Sequence, residues 1–137
     1  MPDLTITPTQ VVVGTGAQVE TRYSSVAVTA GQSLYLNANN QWALAQCDGT
    51  ALEASFGGIA LNGAGIGQPV QAVKTGLITL GAGAAPAVGQ VYVVPRTAGG
   101  IAPYSDLLST DRVTVIGYGK AANQILVAPM VTGDQKP

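Results

Sequence analysis

The chain contains no histidine. That absence removes Ser-His-Asp and Cys-His catalysis and every histidine-ligated metal site. It has one cysteine, Cys47, so no intrachain disulfide framework exists. Cys47 reads as a small buried apolar residue, and the sequence offers it no base partner. Charge is also scarce: 9% of the 137 residues are charged, against about 25% in an ordinary soluble domain. Net charge is −1, so little self-repulsion keeps molecules apart. Such a surface is covered by Ala, Gly, Ser, Thr, Asn and Gln, and is expected to meet other protein over much of its area. The six basic residues, Arg22, Lys74, Arg96, Arg112, Lys120 and Lys136, are scattered. No basic footprint for nucleic acid is visible.

No run of 18 apolar residues occurs, so no membrane-spanning helix is expected. The opening "MPDLTITPTQVVVG" has no basic residue and no long apolar run, unlike a secretory signal. Aromatics are 5% of the chain, so the core must come from Val, Ile, Leu and Ala.

What is present points to strands. Short apolar or alternating runs recur, separated by Gly, Asn and Pro: "VETRYSSVAV" (19–28), "SLYLN" (33–37), "WALAQ" (42–46), "IALN" (59–62), "PVQAVKT" (69–75), "LITL" (77–80), "QVYVVP" (90–95), "RVTVIGYG" (112–119) and "NQILVAPMV" (123–131). This spacing predicts an all-β fold of about eight to ten short strands. It fits a small β-barrel, β-tulip-like or sandwich domain with at most one short helix. That helix would lie in "DGTALEASF" (48–56), capped by Asp48 or Thr50, with Leu52 and Phe56 on one face. Asn39-Asn40 predicts a type I′ hairpin turn between "SLYLN" and "WALAQ". One domain is expected at this length. It divides into an extended N-terminal arm (1–20), a β-barrel body (21–131) and a polar tail (132–137). In the arm Pro2, Pro8, Gly14 and Gly16 disfavour regular core structure, although "QVVV" is able to pair as an edge strand.

The pair Gly-Gln occurs at 31, 67 and 89 with no fixed period. Each follows an Ala- or Gly-rich loop and precedes a strand. Glycine offers a free φ and the Gln amide offers hydrogen bonds, so the pair reads as a turn device rather than a repeated ligand site.

No catalytic constellation emerges. The acids Asp3, Glu20, Asp48, Glu53, Asp106, Asp111 and Asp134 are dispersed, whereas a glycosidase needs two carboxylates flanking one bond. "GAGIG" (63–67), "GAGAA" (81–85) and "GYGK" (117–120) lack phosphate-loop spacing and read as hairpin loops. The calcium pattern DxDxDG is absent. No enzyme, metal site or cofactor is expected.

The segment 27–127 carries a resemblance. Its parts are "GQSLYLN" with the turn "ANNQW", then "GIALN", "GQPVQAVKTGLITL", "VGQVYVVPRTAGGIAPYSDL" and "VTVIGYG". Together they resemble capsid decoration (cement) proteins of tailed bacteriophages. The resemblance implies a structural virion protein on the exterior of a phage head, made in a bacterial cytoplasm. It would stabilise the lattice of the major capsid protein, as a homotrimer. It further implies that the N-terminal arm reaches the capsid, with Leu4, Ile6, Val11, Val12 and Val13 as contacts. A phage tail or fibre module is an alternative. So is a carbohydrate-binding module, for which Trp42, Tyr35, Tyr92, Tyr104 and Tyr118 are candidate platforms, with Trp42 read as core.

Overall fold

A computed structural model describes residues 4–81, 83–84 and 86–137. The chain is nearly all β: 47% lies in strands and 5% in helix, with no helix of seven residues or more. The described strands are β1 (Val12–Val13), β2 (Gln18–Tyr23), β3 (Ser33–Leu36), β4 (Trp42–Leu44), β5 (Phe56–Ala60), β6 (Pro69–Thr79), β7 (Val91–Val93), β8 (Ala102–Pro103), β9 (Arg112–Ala121) and β10 (Gln124–Gln135). They form one strongly curled antiparallel sheet, a half-barrel, in the order β4-β3-β5-β6-β10-β9-β7-β8, with β1 and β2 also on β6.

Strand β6 joins everything. "PVQAVKT" and "LITL", separated in sequence by Gly76, are one continuous strand here. Residues Ala72 and Val73 pair with β2 on one edge and with β5 on the other. Residues Ile78 and Thr79 pair with β1 and with β10. Only four residues separate β1 from β2, so both run along the same edge of β6. On the opposite edge β5 gives way to β10 at Gly76. Gly76 has φ +109°, and a Cβ there would sit 2.6 Å from the Ala17 Cα. Glycine is what lets the strand bend and lets Ala17 approach.

Two apolar clusters result. The larger holds Phe56, Ile59, Val73, Ile78, Tyr92, Ile116 and Ile125, all buried. The smaller gathers Val28, Leu34, Ala60, Val70 and Ala72 around Trp42. Strand β3 lies between them: Leu34 and Leu36 face the smaller cluster while Tyr35 packs on the larger. The indole N–H of Trp42 is buried without an acceptor. That costs roughly 1–3 kcal/mol, and burying the ring offsets it.

The three Gly-Gln pairs are one device used three times. They occupy Thr29–Gln32, Gly65–Gln68 and Ala87–Gln90. In each, the fourth residue's N–H donates to the first residue's carbonyl, at 3.3, 3.2 and 3.1 Å. The third residue is the glycine, with φ +93°, +80° and +81°, as a type II turn requires. Each glycine N–H then donates across the fold, to Ala60, Ser24 and Gly119, at 2.8 Å. Gln32 and Gln68 accept the first residue's N–H on Oε1, at 2.9 and 2.8 Å. Gln90 instead donates to the Val91 carbonyl.

A fourth copy has no Gly-Gln. In Leu108–Asp111 the Asp111 N–H donates to the Leu108 carbonyl and Asp111 Oδ2 accepts the Leu108 N–H at 2.8 Å. Thr110 takes the glycine's place at φ +74°, and its N–H donates to the Lys136 carbonyl at 2.7 Å. Each of the four turns leads into a strand: β3, β6, β7 and β9.

Several expectations differ from the structure. Within 48–56 a single turn forms at residues 51–54, rather than a helix. Thr50 and Glu53 exchange capping hydrogen bonds, but Phe56 leaves to begin β5 in the larger core while Leu52 stays exposed. The Asn39-Asn40 turn has positive φ at Asn40 alone among the two. The Asn37 side chain accepts the N–H groups of Asn39 and Gln41 and shapes a longer loop. "GYGK" lies inside β9, where a Cβ at Gly117 or Gly119 would collide with the carbonyls of Leu126 and Ala87. Ala82 and Ala85 of "GAGAA" lie outside the described residues. The segment 132–137 is largely strand, since β10 continues to Gln135 opposite Arg112.

A β-branched residue at positive φ is strained. Thr110→Gly therefore should stabilise the protein, by about 0.5–1 kcal/mol once the greater freedom of unfolded glycine is subtracted. Urea unfolding measures this, and a loss of stability would contradict the turn's reading.

Candidate partner-binding surface

The residues expected as capsid contacts separate into two groups. Leu4, Ile6 and Val11 are half-buried against the larger core of their own chain. The Leu4 N–H donates to the Ile101 carbonyl at 2.8 Å, and Ile6 occupies the space over Gly31 that a Cβ would fill. Beside them lies a groove of about 250 Å³ formed with residues 29–32 and 97–100. Residues 4–17 are thus laid on the body, and residues 1–3 lie outside the described residues. Val12 and Val13 differ. They stand on β1 with 57% and 44% of their surface exposed.

These valines continue into a longer apolar edge. On β2, Val19 is 42% and Tyr23 62% exposed. Both strands pair along their length with β6, and just past the end of β2 Ser24 bridges Trp42 of β4 in parallel, with the Ser25 N–H donating to the Trp42 carbonyl at 2.9 Å. The edge also carries the charges Glu20 and Arg22. Glu20 is hydrogen-bonded to Arg22 and, at 3.0 Å, to Lys74. Those hydrogen bonds, the Arg22 one foremost, hold the Glu20 carboxyl below its ordinary range. Beyond β2 a groove of about 400 Å³ separates Thr21, Arg22 and Tyr23 from the hairpin loop Asn39–Gln41.

The second concentration of polar groups lies around Asp111. Its buried carboxylate accepts the Arg96 Nε on both oxygens at 2.9 Å, and Arg96 Nη2 lies 2.8 Å from Oδ1. With the Leu108 N–H these bonds tie the end of the 96–111 excursion to the start of β9. Cys47 lines the same small cavity. Burial first, then the neighbouring Asp111 charge, push its thiol up to about 12. It stays protonated and is not a nucleophile at neutral pH. Among the described residues, no three His, Cys, Asp or Glu side chains gather as a metal site.

The aromatic candidates for a sugar platform do not assemble. Trp42 and Tyr92 are fully buried, Tyr35 packs on the core, and Tyr104 and Tyr118 are partly exposed on separate elements. Among the described residues no helix is long and apolar enough to cross a membrane. No family model matches the chain, and no curated protein matches it.

Asp111 makes a pH prediction. The Arg96 hydrogen bonds, against the opposing effect of burial, depress its folded-state pKa, and the Leu108 N–H adds to this. A depressed carboxylate contributes stability above its unfolded pKa of about 4 and loses it as pH falls through the folded value. Asp111→Asn should cost about 1–3 kcal/mol at pH 6. The gap to the wild type should narrow below about pH 4. Denaturant titrations across that range measure it, and a gap independent of pH would contradict it.

Proposed function

We propose that the chain is a structural virion protein, a decoration module that binds the outer surface of a phage head and stabilises its lattice. The observation that carries this reading is the exposed edge formed by β1 and β2. It places Val12, Val13, Val19 and Tyr23 in solvent on a chain with 9% charged residues. Apolar side chains beside unpaired backbone are suited to joining another protein's sheet. The resemblance of segment 27–127 to cement proteins supplies the partner class, the major capsid protein.

Leu4, Ile6 and Val11 are occupied within their own chain, so we assign the capsid contacts of the N-terminal segment to Val12 and Val13. Heads assembled from the capsid protein encoded beside this chain provide the test. Purified protein should co-sediment with them in a saturable ratio. Replacing Val12 and Val13 by Ser, at exposed positions, should leave the fold intact and lower occupancy at limiting concentration. Full occupancy by the double variant would return the contact to another face. Failure of the wild type to bind such heads would contradict the function itself.

A further inference from the structure

We propose that the groove between β2 and the Asn39–Gln41 loop binds a neutral saccharide of one or two sugar rings. The inference does not rest on the capsid reading. It begins with side chains that the fold leaves idle. The groove holds about 400 Å³ and is lined by Thr21, Arg22, Tyr23, Asn39, Asn40 and Gln41. Small-ligand sites start at about 300 Å³, so this one suits a small sugar. Asn37 shapes the loop wall from behind. Its side-chain Oδ1 accepts the Asn39 and Gln41 N–H groups at 2.9 and 3.0 Å. Its carbonyl accepts the Asn40 N–H, and its N–H donates to the Gln41 carbonyl, both at 2.9 Å. The loop therefore holds its form without the side chains of Asn39, Asn40 and Gln41. Among the described residues those three amides, the Thr21 hydroxyl and the Tyr23 hydroxyl have no hydrogen-bond partner within the chain.

The opposite wall is equally fixed. Strand β2 pairs with β6 in constant register from Val19↔Val73 to Tyr23↔Pro69. The Ser24 N–H donates to the Gln68 carbonyl and its carbonyl accepts the Gly67 N–H, so residue 24 faces β6. Alternation along the strand then turns the Thr21 N–H and C=O toward the groove. Past Tyr23 the groove closes where Ser24 bridges Trp42. A site formed in advance loses little affinity to ordering. The lining selects the ligand. Tyr23 is 62% exposed and offers an aromatic face with a polar tip. It stands apart from the aromatic residues that do not assemble. A pyranose has a C–H face to stack on the ring and hydroxyls around its rim. Each hydroxyl both donates and accepts, as each amide does. No aliphatic side chain lines the groove, which disfavours a lipid. Arg22, the one cation among the lining residues, already commits its Nε to Glu20. The groove is therefore not tuned to a phosphate or carboxylate.

Amide NMR spectra of the isotope-labelled full chain test this. The neutral probes are lactose, maltose, cellobiose, mannobiose, diacetylchitobiose and rhamnose. The charged probes are glucuronate and inorganic phosphate. At least one neutral sugar should saturably shift the amides of Thr21, Tyr23, Asn39, Asn40 and Gln41, with a Kd of about 1 mM or tighter. Tyr23→Ala should raise that Kd about tenfold or more, while Tyr23→Phe keeps the ring and most of the affinity. Asn40 sits at φ +59°, which glycine adopts freely. Asn40→Gly therefore keeps the loop, removes one amide and should weaken binding several-fold. Leu52→Ala, exposed and outside the groove, should bind as the wild type does. The proposal is overturned if no neutral sugar gives a saturable shift at about 10 mM, ten times the expected Kd. It is equally overturned by shifts that map outside the groove, by a Kd that Tyr23→Ala and Asn40→Gly leave unchanged, or by binding of the charged probes alone. If Tyr23→Ala fails to fold, Asn40→Gly decides.

Discussion

One strand, β6, has to serve both halves of the curled sheet, and the rest of the molecule is arranged around how it does so. Its first half is paired on both edges, by β2 and β5. Its last residues are paired on both edges again, by β1 and β10. Val70 and Ala72 feed the cluster around Trp42, whereas Val73 and Ile78 feed the larger core. A single extended strand cannot turn from one half of the sheet to the other without a local bend. Gly76 provides it at φ +109°. Because β5 and β10 diverge there, the sheet curls instead of lying flat. The N-terminal segment runs along that side of β6, where no other described strand pairs with it. Within the segment expected as an extended arm (1–20), β1 and the start of β2 pair with β6.

The turns explain how so weakly charged a chain holds its register. Four strands are entered through the same type II geometry, and each turn sends its third N–H to a distant carbonyl. Hydrogen bonds of neutral groups do here what ion pairs do elsewhere. Where the device lacks glycine, at Leu108–Asp111, a carboxylate replaces the glutamine and draws in Arg96. That is the chain's most buried ion pair among the described residues, and it fixes the long excursion against β9. The Arg96–Asp111 pair thus serves the fold, while Glu20 with Arg22 and Lys74 ties β2 to the face of β6.

Much of this is legible in the sequence where the physics is local. The all-β class follows from alternating runs and glycine spacing. The Gly-Gln turns follow from what glycine's φ and a glutamine amide can do within four residues. Non-local outcomes are not legible. Leu4 and Ile6 announce apolar contacts, but their partners near residues 29–32 and 97–101 lie far away in sequence. Phe56 and Leu52 suit one helical face, yet the larger core captures Phe56 into β5 and a single capped turn remains. The fourth turn is hidden because Thr-Asp stands for Gly-Gln. Its signal is an acceptor side chain at the fourth position, just before a strand.

Amide hydrogen exchange tests the central claim, that β6 is the doubly paired strand on which both halves of the sheet depend and that β2 hydrogen-bonds to it along one side. The amides from Val70 to Thr79 should be among the slowest and should exchange only through global unfolding. The amides of Val19, Thr21 and Tyr23 should exchange fast, while those of Glu20 and Arg22 on the same strand are protected. Uniform protection along β2, or β6 amides that open well before those of β9, would contradict the account.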